Sequence, residues 1–207
     1  MPESSLVADH CYNLGNTLRQ LKRLEEAAAE YREALRLRPK YVKALTNLGN
    51  VLRELGRLEE AAAMHRQAIE LKGDYAEGYH NLGLALGGQG KQDEAAGCHR
   101  RALAIKPDFT VARNSLSRIL TEQGKCDEAM ELLREVTDQD RETLNSWLEV
   151  GGKLREEGRF EEAITCITDV LKAKADLAAA HHSLGLVMLA KGEGRATALS
   201  LTTTPSP

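Results

Sequence analysis

Asn47-Leu48-Gly49 is the stretch whose reading decides the fold. The same three residues stand 34 positions earlier as Asn13-Leu14-Gly15 and 34 positions later as Asn81-Leu82-Gly83. Further steps of 34 reach Ser115-Leu116-Ser117, Glu149-Val150-Gly151 and Ser183-Leu184-Gly185. Recurrence at one constant spacing marks a repeat array rather than a single folded core. The frames begin at Ala8, Val42, Ala76, Thr110, Leu144 and Ala178, with no insertion between them.

Small residues recur with the same period. The eighth position of the frame holds Gly15, Gly49, Gly83, Ser117, Gly151 and Gly185, and the twentieth holds Ala27, Ala61, Ala95, Ala129 and Ala163. The twenty-seventh holds Ala34, Ala68, Ala102, Val136 and Val170. Side chains this small at fixed places predict helices that approach closely there. Each frame splits into two helical patterns. Cys11, Leu14, Gly15 and Leu18 form the first apolar stripe, and Leu24, Ala27, Ala28, Tyr31, Ala34 and Leu35 the second. Between them lie Lys22-Arg23, Gly56-Arg57, Gly90-Lys91, Gly124-Lys125 and Gly158-Arg159, where glycine suits a helix end that needs positive φ. Pro39 and Pro107 follow second helices that they cannot continue.

Composition agrees. The 207 residues are 29 % charged and 4 % aromatic, with a formal net charge of −3. This is a helix-forming composition with no basic footprint for nucleic acid or an acidic membrane. No apolar run reaches the ~18 residues of a spanning helix. Met1-Pro2-Glu3-Ser4-Ser5 has neither the basic nor the apolar region of a signal peptide. Cys11, Cys98, Cys126 and Cys166 are scattered without CxxC spacing, and no Asn-x-Ser/Thr sequon occurs. Free thiols and a cytoplasmic location are the expectation.

These motifs resemble the tetratricopeptide repeat, over roughly residues 8–190. The resemblance implies an all-α, right-handed α-solenoid of stacked antiparallel helix pairs, with the first helices lining the concave side. The expected organisation is a lead-in over 1–7, repeats over 8–41, 42–75, 76–109, 110–143 and 144–177, a half repeat or capping helix over 178–191, and a disordered tail over 192–207. The fourth repeat departs most from the pattern, with Arg113, Ser117 and Arg141 where apolar, Gly and Pro are usual. Trp147 takes the aromatic position of the fifth repeat and is expected to anchor its junction with the fourth. Gly87 and Gly88 mark either a soft point or a close approach near a helix end.

Nothing in the sequence reads as a catalytic, metal or cofactor site, and a non-enzymatic protein without cofactor is expected. His65 and His99 occupy the position of Tyr31, between helices, and read as packing residues. Cys98-His99 are helix neighbours that diverge by ~100° and do not converge on a metal. HExxH, GxSxG and P-loop patterns are lacking. The acidic pairs Glu25-Glu26, Glu59-Glu60, Asp93-Glu94, Asp127-Glu128 and Glu161-Glu162 open each second helix, where they complement its dipole.

The informative polar residues lie on the first helices, on the face that the family turns to its groove. The sixth position reads Asn13, Asn47, Asn81, Ser115, Glu149 and Ser183; the ninth begins Asn16, Asn50 and Leu84. The fifth reads Tyr12, Thr46, His80 and Asn114, and the twelfth Arg19, Arg53, Gly87 and Thr121. Asparagine competes with the helix backbone, so repeated use at one position needs a reason. Its amide can pair with both N–H and C=O of an extended chain. The row resembles the asparagine ladder of the O-linked N-acetylglucosamine transferase superhelix. That resemblance implies a scaffold binding an extended segment of a partner protein through Asn13, Asn47 and Asn81. Asn16, Asn50, Tyr12, His80, Asn114, Arg19 and Arg53 are further groove candidates. The alternatives are the substrate-docking part of a longer glycosyltransferase-like enzyme, or a scaffold that self-associates through the array ends. A clamp for a C-terminal carboxylate, as in chaperone-binding relatives, is disfavoured. Its positions correspond to Tyr12, Asn16, Asn47, Glu77 and Asn81, without a cation among them.

Overall fold

Four glycines sit where a chain of L-residues would be strained. Gly56, Gly90, Gly124 and Gly158 have φ of 76, 79, 74 and 77°, each closing a first helix. At the second of the chain's helix pairs, the Arg57 N–H reaches back to the Leu52 carbonyl at 2.8 Å and the Gly56 N–H to the Arg53 carbonyl at 3.0 Å. Carbonyls that the helix end would leave unpaired are thereby satisfied. The first repeat makes the same turn without glycine: Lys22 adopts φ 60°. Lys22→Gly should therefore stabilise the protein by up to ~1 kcal/mol, and Gly56→Ala should cost about as much; urea titrations of the two variants check both signs.

The turns connect the helices of a computed structural model that describes residues 2–134 and 141–202. Among the described residues there are eleven helices and no strand. They are α1 (Pro2–Gln20), α2 (Leu24–Leu37), α3 (Val42–Glu54), α4 (Leu58–Leu71), α5 (Ala76–Gly88), α6 (Gln92–Ile105), α7 (Thr110–Glu122), α8 (Cys126–Arg134), α9 (Arg141–Glu156), α10 (Phe160–Ala173) and α11 (Ala178–Thr202). Helices α3, α5, α7 and α11 begin on the frame starts read from the sequence. The architecture is that of an α-solenoid built from helix pairs.

The chain divides into two compact units, Met1–Ala112 and Arg113–Pro207. In the first, each helix from α1 to α6 packs on the next. Its first helices also touch directly, α1 on α3 and α3 on α5. In the second, α9 packs on α8, α10 and α11, and α10 packs on α11.

Small residues do what the period demands. Ala27, Ala28, Ala61, Ala62, Ala95 and Ala96 are fully or almost fully buried. A Cβ at Gly15 would lie 2.7 Å from the Tyr31 ring, one at Gly49 2.6 Å from His65, and one at Gly83 2.7 Å from His99. The histidines thus pack between helices as Tyr31 does. In the fifth repeat a Cβ at Gly151 would lie 3.1 Å from Ile167. Gly88 is the close approach of its pair, 3.0 Å from Leu58, whereas Gly87 has room.

Several expectations need adjustment. The lead-in is helical from Pro2, because proline at a first helical position loses no hydrogen bond and is preset in φ. Helix α9 starts at Arg141, three residues before its frame. Helix α11 continues past 191 to Thr202 where a disordered tail was expected. Each glycine in Gly192-Glu193-Gly194 costs a helix only about 1 kcal/mol, and Ala196, Ala198 and Leu199 favour it. Consistently, a Cβ at Gly185 would meet nothing within 4 Å. The expected small-residue contact at Val136, and the tail over 203–207, lie outside the described residues.

The fourth repeat buries its irregular residues. Arg113, Asn114, Ser117 and Thr121 are all less than 9 % exposed. Trp147 is half-buried and, with Leu133, Arg134 and Val170, borders a cavity of about 430 Å³.

The acidic pairs have partners beyond the helix dipole. Arg23 grips Glu26 through Nε and Nη2 at 2.6 and 2.5 Å. Arg57 repeats this with Glu60 and Arg159 with Glu162. These bonds hold Glu26, Glu60 and Glu162 below the usual carboxylate range. All are exposed pairs of the kind that contributes little to stability.

Candidate peptide-binding groove

Helices α1, α3 and α5 carry Asn13, Asn47 and Asn81 at equivalent places, because one residue in 34 repeats the position from helix to helix. Asn13 is exposed, while Asn47 and Asn81 are half-buried. The central one is engaged. Its Nδ2 donates to Asn16 Oδ1 at 2.8 Å and to the Tyr12 hydroxyl at 3.2 Å. Asn16 Oδ1 also accepts from the Tyr31 hydroxyl at 2.8 Å. Four polar side chains thus tie α1, α2 and α3 together. Burial raises the pKa of the Tyr31 phenol, which favours its neutral, donating form. Both Asn47 donor hydrogens serve this network, leaving Oδ1 as its acceptor.

The fifth position has a structural role that the sequence reading missed. Tyr12 packs on Tyr41, with ring centroids 5.1 Å apart. Thr46 shares a 3.0 Å hydrogen bond with the Tyr75 hydroxyl. The His80 ring meets Phe109 edge-on at 5.4 Å and His99 at 5.1 Å. In the second unit Asn114 Nδ2 donates to Thr143 Oγ1 at 3.3 Å. Tyr41, Tyr75, Phe109 and Thr143 are each the last residue of their frame. The signal was available: that position reads Tyr41, Tyr75, Phe109, Thr143, with three aromatics in a row. Asn114 is 8 % exposed, so its expected place in an open groove is corrected. Its amide is buried against Thr143 because an unpaired polar group there would be costly.

Tyr41 is itself held by charge. Its hydroxyl donates to Asp9 Oδ1 at 2.8 Å, and the Arg38 guanidinium lies 4.1 Å above its ring. Burial and the Asp9 bond push the phenol up to about 12. The bonds from Arg38 and then Tyr41 hold Asp9 low.

The two arginines of the twelfth position differ. Arg19 binds Glu54 through Nε at 2.9 Å and Nη2 at 2.6 Å, and Lys22 adds a 3.5 Å ion pair. Burial works against the Glu54 anion, but the Arg19 and Lys22 charges bring its pKa below the usual value. Asn16, Arg19, Gln20, Lys22 and Glu54 line one cleft. Arg53 sits beside His65 and His80, and its charge, after burial, contributes to lowering both imidazoles to about 4. Both rings are neutral at pH 7. Asn50, on the same helix, is half-buried.

In the second unit, the equivalent face carries Arg118, Glu122, Glu149, Lys153 and Glu156 around a cleft that Thr121 and Gly152 also line. Arg118 pairs with Glu122 at 2.9 Å and Lys153 with Glu156 at 3.3 Å. Asparagine has given way to charge. Among the described residues no group of three or more His, Cys, Asp or Glu side chains is placed to hold a metal. Cys126 and Cys166 are buried and the four cysteines are free thiols. No described helix is long and apolar enough to cross a membrane.

Helix pairs of constant period, glycine-closed turns and a polar row along the first helices define a helical-repeat protein. A family model described as TPR repeat matches residues 15–56 and 49–90, and one described as tetratricopeptide repeat matches 88–149. The chain belongs to the tetratricopeptide repeat family. It is similar to the crystal structure of YrrB, described as a TPR protein with an unusual peptide-binding site. The TM-score is 0.67 at 25 % identity, over 84 % of this chain and 89 % of that one. A crystal structure of MamA protein gives 0.71 at 22 % identity, over 86 % and 98 %. A tetratricopeptide repeat protein from Parabacteroides merdae gives 0.75 at 16 % identity, over 98 % and 81 %. The last two establish likeness of fold. No curated protein matches the chain.

Proposed function

We propose that this chain is a protein-interaction scaffold that binds an extended segment of a partner along α1, α3 and α5. The observation that carries the reading is the placing of Asn13, Asn47 and Asn81 at one repeat position on three helices that touch in sequence. An extended chain offers alternating N–H and C=O groups, which asparagine amides satisfy without regard to side chains. The three rungs are unequal. Asn13 presents a full amide to solvent, whereas Asn47 offers its Oδ1 to a peptide N–H. Neutral bonds of this kind contribute about 0.5–1.5 kcal/mol each. A millimolar complex needs about −4 kcal/mol, so neighbouring side chains supply the remaining affinity and the selectivity. The likeness to YrrB supports a peptide as the ligand class.

The clean test leaves Asn47 intact, because changing it also breaks the Tyr12–Asn16 network. Asn13→Ala with Asn81→Ala should weaken binding to an array of extended peptides about tenfold, with circular dichroism unchanged. Equal binding by this variant and the parent would remove the ladder. Self-association is a second reading, drawn from exposed Leu6 and Val7 on α1 and Met188 and Leu189 on α11. Light scattering over a concentration series tests it; a monomer at every concentration would overturn it.

A further inference from the structure

Arg19 and Arg53 are the same position in successive repeats, yet only Arg19 has a carboxylate built for it. Its partner Glu54 is the thirteenth residue of the next frame. The residue equivalent to Glu54 for Arg53 is Gly88. A Cβ at Gly88 would stand 3.0 Å from Leu58, whose side chain would have to give by a few tenths of an ångström. Glycine at this position leaves Arg53 without the counterion that Glu54 gives Arg19. Polar atoms of Arg53 and of the two histidines near it have no protein partner either. Arg53 Nε is buried without a hydrogen bond, as are both ring nitrogens of His65 and Nδ1 of His80. His65 is fully buried. In the preceding repeat its place is taken by Tyr31, whose hydroxyl bonds to Asn16. Groups of this kind are normally satisfied, and Arg53 Nε and His80 Nδ1, on side chains that are only partly buried, point to a ligand.

We propose that Arg53, with His80 beside it, receives a carboxylate side chain from the bound segment, so that the groove selects a peptide with an aspartate or glutamate at this point. The carboxylate would stand where the Glu54 carboxylate stands relative to Arg19, supplied by the partner instead of by the chain. A guanidinium binds carboxylate by paired N–H bonds, stronger than those of a neutral amide. The asparagines then grip the main chain while Arg53 sets the register. This inference rests on the reading of the face as a peptide groove, but concerns a different residue.

The experiment has two arms on the full chain. In the first, the Arg53 Nε–H and histidine ring signals are followed by NMR while acetate is added, with acetamide as the neutral match and sodium chloride as the ionic control. Acetate should shift the Arg53 and His80 signals saturably, acetamide and chloride should not, and Arg53→Gln should abolish the effect. In the second, arrays of extended peptides that differ only by Glu→Gln are probed. Wild type should favour the acidic member about tenfold, and Arg53→Gln should show no preference while keeping its affinity for the neutral one. Peptide binding indifferent to Glu→Gln overturns the carboxylate site and leaves the scaffold standing. A saturable acetate response with no peptide bound supports the anion site and overturns the peptide groove. Neither response overturns both.

Discussion

At pH 4.5 the first three repeats should be much less stable than at pH 7.5, and His65 should account for most of the difference. Its imidazole is fully buried and makes no hydrogen bond within the protein. Burial, then the nearby Arg53 and His80 charges, lower its pKa from 6.5 to about 4. The unfolded chain therefore binds the proton before the folded one does. Stability attached to the neutral ring is complete above pH ~6.5 and is lost as pH falls toward 4. By pH 4.5 the loss for one such histidine is about 2–3 kcal/mol. His80, also lowered to about 4 by burial and then Arg53, adds to it, though it is partly exposed. The exposed pairs of Glu26 and Glu60 also weaken as their carboxylates are protonated on further acidification, so a control is required. His65→Tyr provides one, since Tyr31 fills the equivalent space over Gly15 and bonds to Asn16. Urea unfolding at the two pH values should show a much smaller acid loss in His65→Tyr. An unchanged loss would mean that His65 does not carry the dependence.

The second large effect is steric. Gly49→Val should destabilise the protein by about 3 kcal/mol or more, because even the first added carbon would stand 2.6 Å from the His65 ring. Carbon atoms in contact prefer about 3.5–4.0 Å, so either α4 or the ring must move. The opposite result is expected at Gly97 on α6, where a Cβ meets nothing within 4 Å. Gly97→Ala should gain up to ~1 kcal/mol from helix propensity alone. A double-mutant cycle of Gly49→Ala with His65→Ala should show coupling of about 1 kcal/mol or more, as expected for residues in direct contact. Additive behaviour would refute the packing assignment.

These effects explain why the architecture was legible from one row of residues. A helix pair cannot bury its apolar face alone, so neighbours must stack, and stacking requires small residues at a fixed period. Gly15, Gly49 and Gly83 satisfy that requirement for Tyr31, His65 and His99. Periodicity also located the starts of α3, α5, α7 and α11. It located α1 and α9 less well, because residues ahead of the frame extend both helices. A helix continues for as long as no residue stops it, and a repeat frame does not record the stop.

The polar face was only half legible. Helical geometry puts the fifth and sixth positions side by side, and both were read as groove-lining. The sequence could not show that the last residue of each frame folds over the fifth position. That cover comes from Tyr41, Tyr75 and Phe109, 29 residues distant in each case. Nor could it show that the Asn47 amide bonds back to Tyr12 and Asn16.

The sequence by itself determined the repeat, its period, the closed turns and the row Asn13, Asn47, Asn81. Each follows from local geometry or from a requirement that every neighbouring pair shares. Only the tertiary structure decided which members of that row are engaged and which arginine keeps an internal counterion. Those outcomes depend on residues 29 to 35 positions apart coming into hydrogen-bond range. Period alone makes Arg19 and Arg53 equivalent; the fold brings Glu54 to Arg19, whereas glycine stands at the equivalent position 88.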